Sequence, residues 1–268
     1  MKVITYCNDE SKLIYLKETE KMFNTKITYV IETGEWNGNI TKIKKLNDLI
    51  NTYDDNDIFI FIDAFDVIIN SNYDEIIEKF KSYNCDLLFG GELNCYPDIF
   101  EKKFDKVLPN ILPNNIKKKY INSGGYMGYV KSIKHLLKWI NNNYKNNNPN
   151  NETRDQAFFF KYFLENHHNH NIKIDFYSKI FLNMYVISWD DIDFRNGRVY
   201  NNILKNNPCF IHFNGVSWKT DENKNIMQVF VDTLKNSNNN LNKIYNLKKY
   251  NQKYTICGYN THTSWSQI

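Results

Sequence analysis

Residues 58–69 read Ile-Phe-Ile-Phe-Ile-Asp-Ala-Phe-Asp-Val-Ile-Ile, an apolar run long enough for a buried strand yet interrupted by two carboxylates, Asp63 and Asp66. A buried carboxylate protonates, pairs or binds a cation, and the run holds no Lys or Arg. A divalent metal is the first chemistry these residues suggest. Side chains three apart on a regular strand point to opposite faces, so the two acids converge only where the strand ends near Asp63 and the chain turns. That places both at a strand's C-terminal edge, where open α/β sheets bind ligands. Hard oxygen donors there suit Mg²⁺ or Mn²⁺ carrying a diphosphate. The structural alternative has one Asp capping the next helix and the other paired with a distant base.

Three further segments carry groups of the same kind. Cys209-Phe210-Ile211-His212-Phe213-Asn214-Gly215 is a short apolar strand bringing His212 into a turn, with Trp218 and Lys219 just beyond. A single His on such a strand is usually a packed core residue, but one imidazole would complete the ligand set of Asp63 and Asp66 and tune it toward Mn²⁺ over Mg²⁺. Tyr120-Ile121-Asn122-Ser123-Gly124-Gly125-Tyr126-Met127-Gly128-Tyr129 carries three glycines, which permit either a close backbone approach to a ligand or a bulge in a strand. Residues 153–166 form a helical pattern whose start carries Asp155 and Gln156, an acid favoured by the helix dipole. His167, His168 and His170 follow in an Asn-rich stretch, where solvated histidines compete with a metal reading.

These groups need a scaffold, and the hydrophobic pattern supplies one. Strands are expected at 2–7, 26–32, 57–63 and 85–90, with helices at 11–23, 40–53 and 73–83. The βαβ alternation argues for a mostly parallel sheet with helices on both faces. After Glu92 the pattern turns irregular, and Pro97, Pro109 and Pro113 punctuate a long connection suited to facing a substrate. An amphipathic helix follows the glycine motif at about 131–144. Asn runs at 141–143, 146–148 and 238–240 read as surface loops.

Composition narrows the function classes. At 268 residues and 42% hydrophobic, the chain can bury a substantial core. Its net charge is only +4 and its lysines are dispersed, which argues against a nucleic-acid surface. No apolar run is long enough to span a bilayer. The N-terminus begins as a strand and lacks the longer apolar core of a signal peptide, so a cytoplasmic setting, viral or microbial, is expected. The five cysteines are scattered with no CxxC spacing, which favours free thiols in a reducing compartment.

In order along the chain, Trp36-Asn37-Gly38, Phe61-Ile62-Asp63-Ala64-Phe65-Asp66-Val67, Leu88-Phe89-Gly90-Gly91-Glu92, Cys95-Tyr96-Pro97, Asn122-Ser123-Gly124-Gly125-Tyr126-Met127-Gly128, Asp155-Gln156 and Ile211-His212-Phe213-Asn214-Gly215 resemble the collagen-modifying glycosyltransferases. The similarity is to the glycosyltransferase domain of the multifunctional procollagen lysyl hydroxylases and covers about residues 30 to 220; the hydroxylase half has no counterpart here. It implies a GT-A type, Rossmann-like α/β fold, a UDP-sugar donor and Mn²⁺. By this resemblance Asp63, Asp66 and His212 are the metal ligands, and Trp36 lies at the uridine. Gly124, Gly125 and Gly215 line the donor, and Lys219, after a one-residue shift, meets the diphosphate. Asn122, Asp155 and Asn214 are the catalytic candidates, with Asp155 positioning the acceptor, while Glu92 and Tyr96 face the acceptor.

Two departures stand out. Arg154 replaces an expected carboxylate, and Tyr96 stands for a Trp, keeping a smaller stacking surface. The resemblance implies glucose transfer from UDP-glucose to galactosyl-hydroxylysine of a collagen-like polypeptide, with galactose transfer from UDP-galactose to hydroxylysine, or a catalytically weak UDP-sugar-binding module, as alternatives. A catalytic domain is expected over 1–237 and an Asn- and Lys-rich extension over 238–268, which either folds back or serves as a homodimer contact.

Overall fold

The computed structural model of the chain describes residues 1–32, 39–117, 119–146, 154–215 and 221–236. Trp36, Trp218, Lys219 and the 238–268 extension lie outside the described residues. In chain order the elements begin with β1 (Lys2–Cys7), α1 (Ile14–Phe23), β2 (Ile27–Ile31), α2 (Ile40–Ile50), β3 (Ile58–Ile62) and β4 (Val67–Ile69). They continue with α3 (Tyr73–Tyr83), β5 (Leu87–Glu92), α4 (Glu101–Val107), β6 (Tyr120–Tyr129), α5 (Val130–Asn146) and α6 (Asp155–Asn166). Then come β7 (Ile172–Asp175), β8 (Phe181–Asn183), β9 (Ile192–Arg195), β10 (Arg198–Asn201), β11 (Phe210–His212) and α7 (Asp221–Lys235). The expected α/β class is borne out. The chain divides into two compact units: Met1–Glu10, Ile27–Asp63 and Phe80–Phe176 form the first, and Ser11–Lys26, Ala64–Lys79 and Tyr177–Ile268 the second.

In the first unit β1 lies between β2 and β3, parallel to both. β6 runs antiparallel between β3 and β5, and β7 pairs parallel with β5. β3 is buried along all but its first residue, which explains its unbroken Ile-Phe-Ile-Phe-Ile run: a strand covered on both faces has no polar side to alternate. The glycine motif lies within the ten-residue strand β6. That strand is bulged, because Gly90 faces Asn122 while Phe89 faces Tyr126, leaving residues 123–125 without partners on β5. Farther along, a Cβ on Gly128 would lie 2.4 Å from the Asp86 carbonyl oxygen, so only glycine permits this approach of β6 to its neighbour.

The helices of this unit cover the sheet with apolar stripes. Ile40, Ile43, Leu46 and Ile50 recur at helical spacing on α2 and are all buried, as expected of a helix face turned to the core. α6 is apolar almost all round, with Ala157, Phe158, Phe159, Phe160, Tyr162 and Phe163 buried. Phe159 meets Phe89 edge-on at 5.6 Å, and Phe160 stacks on Phe100 at 5.3 Å. The long connection after Glu92 contains α4, whose Phe104 packs against Phe160 at 5.0 Å. The segment that read as irregular is thus fastened to the core by its aromatic residues.

In the second unit β11 is the middle strand, parallel to β8 and antiparallel to β4. β9 and β10 form a hairpin whose turn, Asn196-Gly197, has φ of 51° and 74°, the paired positive angles of a type I′ turn. Arg198 on β10 donates to both oxygens of Glu75, at 2.7 and 3.0 Å. Partial burial alone would push the Glu75 carboxyl up, but hydrogen bonds from Arg198, Lys79 and Ser71 hold it down at about 2, against an ordinary 4.5. A depressed carboxyl stabilises the fold above its unfolded pKa and loses that contribution as pH falls through the folded value. Urea midpoints measured from pH 5 to pH 2 are therefore expected to fall less steeply in Glu75→Gln than in the wild-type protein.

Candidate active site

Asp63 follows the last residue of β3, and the bulge in β6 fixes its backbone. Its N–H donates to the Gly124 carbonyl at 2.8 Å. The Gly124 N–H in turn donates to Asn122 Oδ1 at 2.8 Å. The Ser123 N–H, which the bulge turns away from β5, donates to Gln156 Oε1 at 3.1 Å. Gln156 Nε2 donates to Glu92 Oε1 at 2.7 Å and to the Tyr96 carbonyl at 2.6 Å. One side chain in the first turn of α6 thereby ties together the end of β5, the bulge within β6 and the Tyr96 loop. Above it the Tyr96 ring is 52% exposed, and the Arg154 guanidinium lies 5.5 Å from the ring centroid with Nη1 donating to the hydroxyl at 3.4 Å. The unexpected arginine thus lies against the exposed Tyr96 ring.

Lys42 is the residue that the sequence reading missed. It projects from α2 and is only 5% exposed. Its Nζ lies 2.8 Å from Asp63 Oδ1 and 2.8 Å from Asp155 Oδ2, so a single ammonium bridges the end of β3 and the start of α6. Burial opposes its charge, but Asp155 and Asp63 overcome that cost and hold its pKa above the ordinary lysine value. Its Nζ also lies 5.1 Å from the Phe61 ring centroid. Asp155 is itself almost fully buried, so it faces this ammonium inside the protein. The Tyr126 hydroxyl is buried with no hydrogen-bond partner among the described residues; burial, then Asp155 and Asp63, push its pKa well up.

His212 is brought to Asp66 by the pairing of β11 with β4, in which it faces Val67, and the Phe213 N–H donates to the Asp66 carbonyl at 2.7 Å. Its Nδ1 is 2.7 Å from Asn183 Oδ1. Because that oxygen only accepts, Nδ1 carries a proton, and the neutral imidazole then presents its lone pair at Nε2. Nε2 lies 3.3 Å from Asp66 Oδ2, so imidazole and carboxylate meet across a gap that either a proton on Nε2 or, with the imidazole neutral, a metal cation satisfies. A neighbouring group that fixes the tautomer is the usual support of a metal-binding histidine. Asn214 Oδ1 accepts from the Tyr185 N–H at 3.0 Å. Gly215 has φ of +99°, and a Cβ there would lie 2.6 Å from the Tyr185 ring.

Asp63, Asp66 and His212 each offer one ligand atom, and these atoms lie within 4.8 Å of one another, forming the one such group of three found among the described residues. Two carboxylates and an imidazole suit Mn²⁺ or Mg²⁺ and include no thiolate that would select zinc. Cys7, Cys85, Cys95 and Cys209 are buried. Burial pushes the Cys85 thiol up to about 12 and the Cys209 thiol up to about 11, so both remain protonated. His167 stacks on Phe163, and His170 lies against His135; these histidines belong to no group of three metal-capable side chains among the described residues.

A mixed α/β fold with an Asp-Asp-His group at the end of a buried strand is that of a GT-A type glycosyltransferase domain. The family model described as the PLOD GT domain matches residues 3–239, and the chain belongs to that family. It is 30% identical over 222 residues to a Drosophila melanogaster procollagen-lysine,2-oxoglutarate 5-dioxygenase, covering 76% of this chain and 28% of the relative. It is 29% identical over 221 residues to the Caenorhabditis elegans multifunctional procollagen lysine hydroxylase and glycosyltransferase, covering 75% and 28%. An uncharacterised protein of Acanthamoeba polyphaga mimivirus is 29% identical over 207 residues, covering 73% and 41%. The chain thus spans less than half the length of each of these relatives.

Proposed function

We propose that residues 1–237 act as one Mn²⁺-dependent glycosyltransferase domain that moves glucose from UDP-glucose to galactosyl-hydroxylysine in a collagen-like polypeptide. The observation that carries this reading is the Asp63, Asp66 and His212 group, whose ligand atoms lie within 4.8 Å of one another. Mn²⁺ held there supplies a Lewis acid for the diphosphate leaving group. The rest of the reading concerns the chain's own residues. By the family resemblance Trp36 is assigned to the uridine and Lys219 to the diphosphate. The backbone at Gly124, Gly125 and Gly215 lines the donor. The exposed Tyr96 ring offers a stacking surface to the acceptor sugar, and Gln156, tied to Glu92 and to the Tyr96 carbonyl, fixes that surface in place. Asn122 and Asn214 anchor backbone around the reacting groups, and Asp155, buried against Lys42, acts as a positioning residue behind the acceptor site.

UDP release measured with Mn²⁺, a galactosyl-hydroxylysine peptide and either donor tests the assignment. Turnover of UDP-glucose is expected. Turnover of UDP-galactose on unglycosylated hydroxylysine instead moves the chain to the galactosyltransferase reading. Binding of UDP without transfer from either donor favours a sugar-nucleotide-binding module, a reading that Arg154, whose guanidinium lies 5.5 Å from the Tyr96 ring centroid, supports.

A further inference from the structure

We infer that Lys42 couples the metal ligand Asp63 to Asp155: one buried ammonium is shared by two carboxylates, so whatever draws Asp63 toward a cation tightens the hold of Lys42 on Asp155. This inference rests on the proposed metal role of Asp63. Lys42 Nζ lies 2.8 Å from Asp63 Oδ1 and 2.8 Å from Asp155 Oδ2. Both Lys42 and Asp155 are almost fully buried, so water does not screen the interaction as it would at the surface.

The position of Lys42 is itself unusual. It breaks into the buried face of α2 beside Ile43 and Leu46, where a lysine carries a desolvation cost unless its charge is met. Asp63 is the more exposed of its two partners, with side-chain exposure of 30% against 2% for Asp155. The accessible end of the bridge is therefore the one that a divalent cation reaches. A cation at Asp63 draws on the same carboxylate charge that pairs with Lys42, so the ammonium is repelled from that end and shifts its pairing to Asp155. Linkage is reciprocal: the more firmly Asp155 holds Lys42, the more freely Asp63 serves the metal. Lys42 is then a positioning residue. It reports occupancy of the metal site to the buried Asp155 carboxylate at the start of α6, and in the metal-free protein it keeps Asp63 neutralised.

The test is the dissociation constant of Mn²⁺ alone, read by titration calorimetry on the full chain, for wild type, Lys42→Met, Asp155→Asn and the double variant. Lys42→Met is expected to tighten Mn²⁺ binding, since Asp63 loses its competitor. Asp155→Asn is expected to weaken it about fivefold, since Lys42 turns fully to Asp63, a factor within the usual range for directly coupled side chains. In the Lys42→Met background, Asp155→Asn is expected to change the affinity by less than about twofold, because the coupling element is gone. Loss of the same factor in both backgrounds means that Asp155 acts only through its long-range field, and the inference falls. The double variant removes both members of the buried pair and leaves only Asp63, the exposed end of the bridge, without its ammonium, so the comparison stands even if Lys42→Met alone folds poorly; Asp155→Asn must then retain the wild-type affinity for the coupling to be refuted. Asp63→Asn separates the two claims. If it leaves Mn²⁺ affinity unchanged, the metal reading itself fails; if it weakens binding while the double variant is additive, only the coupling fails.

Discussion

Asp66→Asn is expected to lower sugar transfer and Mn²⁺ affinity together, each by about a hundredfold or more, on the scale of lost metal ligands and their supports. The substitution is isosteric and keeps the backbone contact in which the Phe213 N–H donates to the Asp66 carbonyl, so the fold should survive. His212→Ala should behave in the same way. Its Nε2 faces Asp66 Oδ2 at 3.3 Å, and Asn183 fixes the tautomer that presents its lone pair. Transfer assays and calorimetric Mn²⁺ titration on the same preparations check both effects. A loss of transfer with Mn²⁺ affinity intact would assign these residues to donor or acceptor contact, not to the metal.

Asn70→Ala is expected to lower the stability of the fold by about 3 kcal/mol, more than substitution of a surface polar residue, through a mechanism unrelated to the site. Asn70 is completely buried and follows β4. Its Nδ2 donates to the Val199 carbonyl at 3.0 Å and to the Pro208 carbonyl at 2.7 Å, and its Oδ1 accepts from the Val199 N–H at 2.8 Å. One side chain thus joins β4 to the β9–β10 hairpin and to the approach of β11. Truncation leaves the Val199 N–H and the Pro208 carbonyl without this partner, each costing about 1–3 kcal/mol when buried, while the Val199 carbonyl keeps its bond from Asn207 Nδ2. Chemical denaturation gives the loss directly. Because β4 carries Asp66 into register with His212, Mn²⁺ affinity should fall with it.

The sequence revealed the scaffold where the pattern was strong and local. The β3 run ends at Ile62, one residue before Asp63, as the turn argument required, and α3 spans Tyr73–Tyr83 as its apolar spacing indicated. β4 was hidden because Val67-Ile68-Ile69 merges with the apolar run before it, and nothing local says that these residues pair with Phe210–His212. The β9–β10 hairpin was legible but passed over: Ile192-Asp193-Phe194-Arg195 alternates apolar and polar residues directly before the Asn196-Gly197 turn signal, in a segment too short to stand out from the loops around it. The glycine motif proved to be a bulged strand, a reading that residue types alone left level with a binding loop; only pairing with β3 and β5 distinguishes them.

The site was legible in part for the same reason. Asp63, Asp66 and His212 announced themselves as polar groups in apolar runs, whereas Lys42 did not, because a lysine in an amphipathic helix reads as a solvated residue until its helical phase is examined. Counting back four residues from the buried Leu46 places Lys42 on the core-facing stripe, a signal that was present in the sequence. Its partners were not, since Asp63 and Asp155 come from separate elements that only the fold brings to one ammonium.

The most direct test of the central claim is anomalous diffraction at the manganese edge from crystals grown with Mn²⁺ and UDP. A single strong peak bonded to the Asp63 and Asp66 carboxylates, to His212 Nε2 and to the UDP diphosphate is the expected result. A diphosphate bound with no manganese at these three side chains, or manganese held elsewhere in the chain, would contradict it.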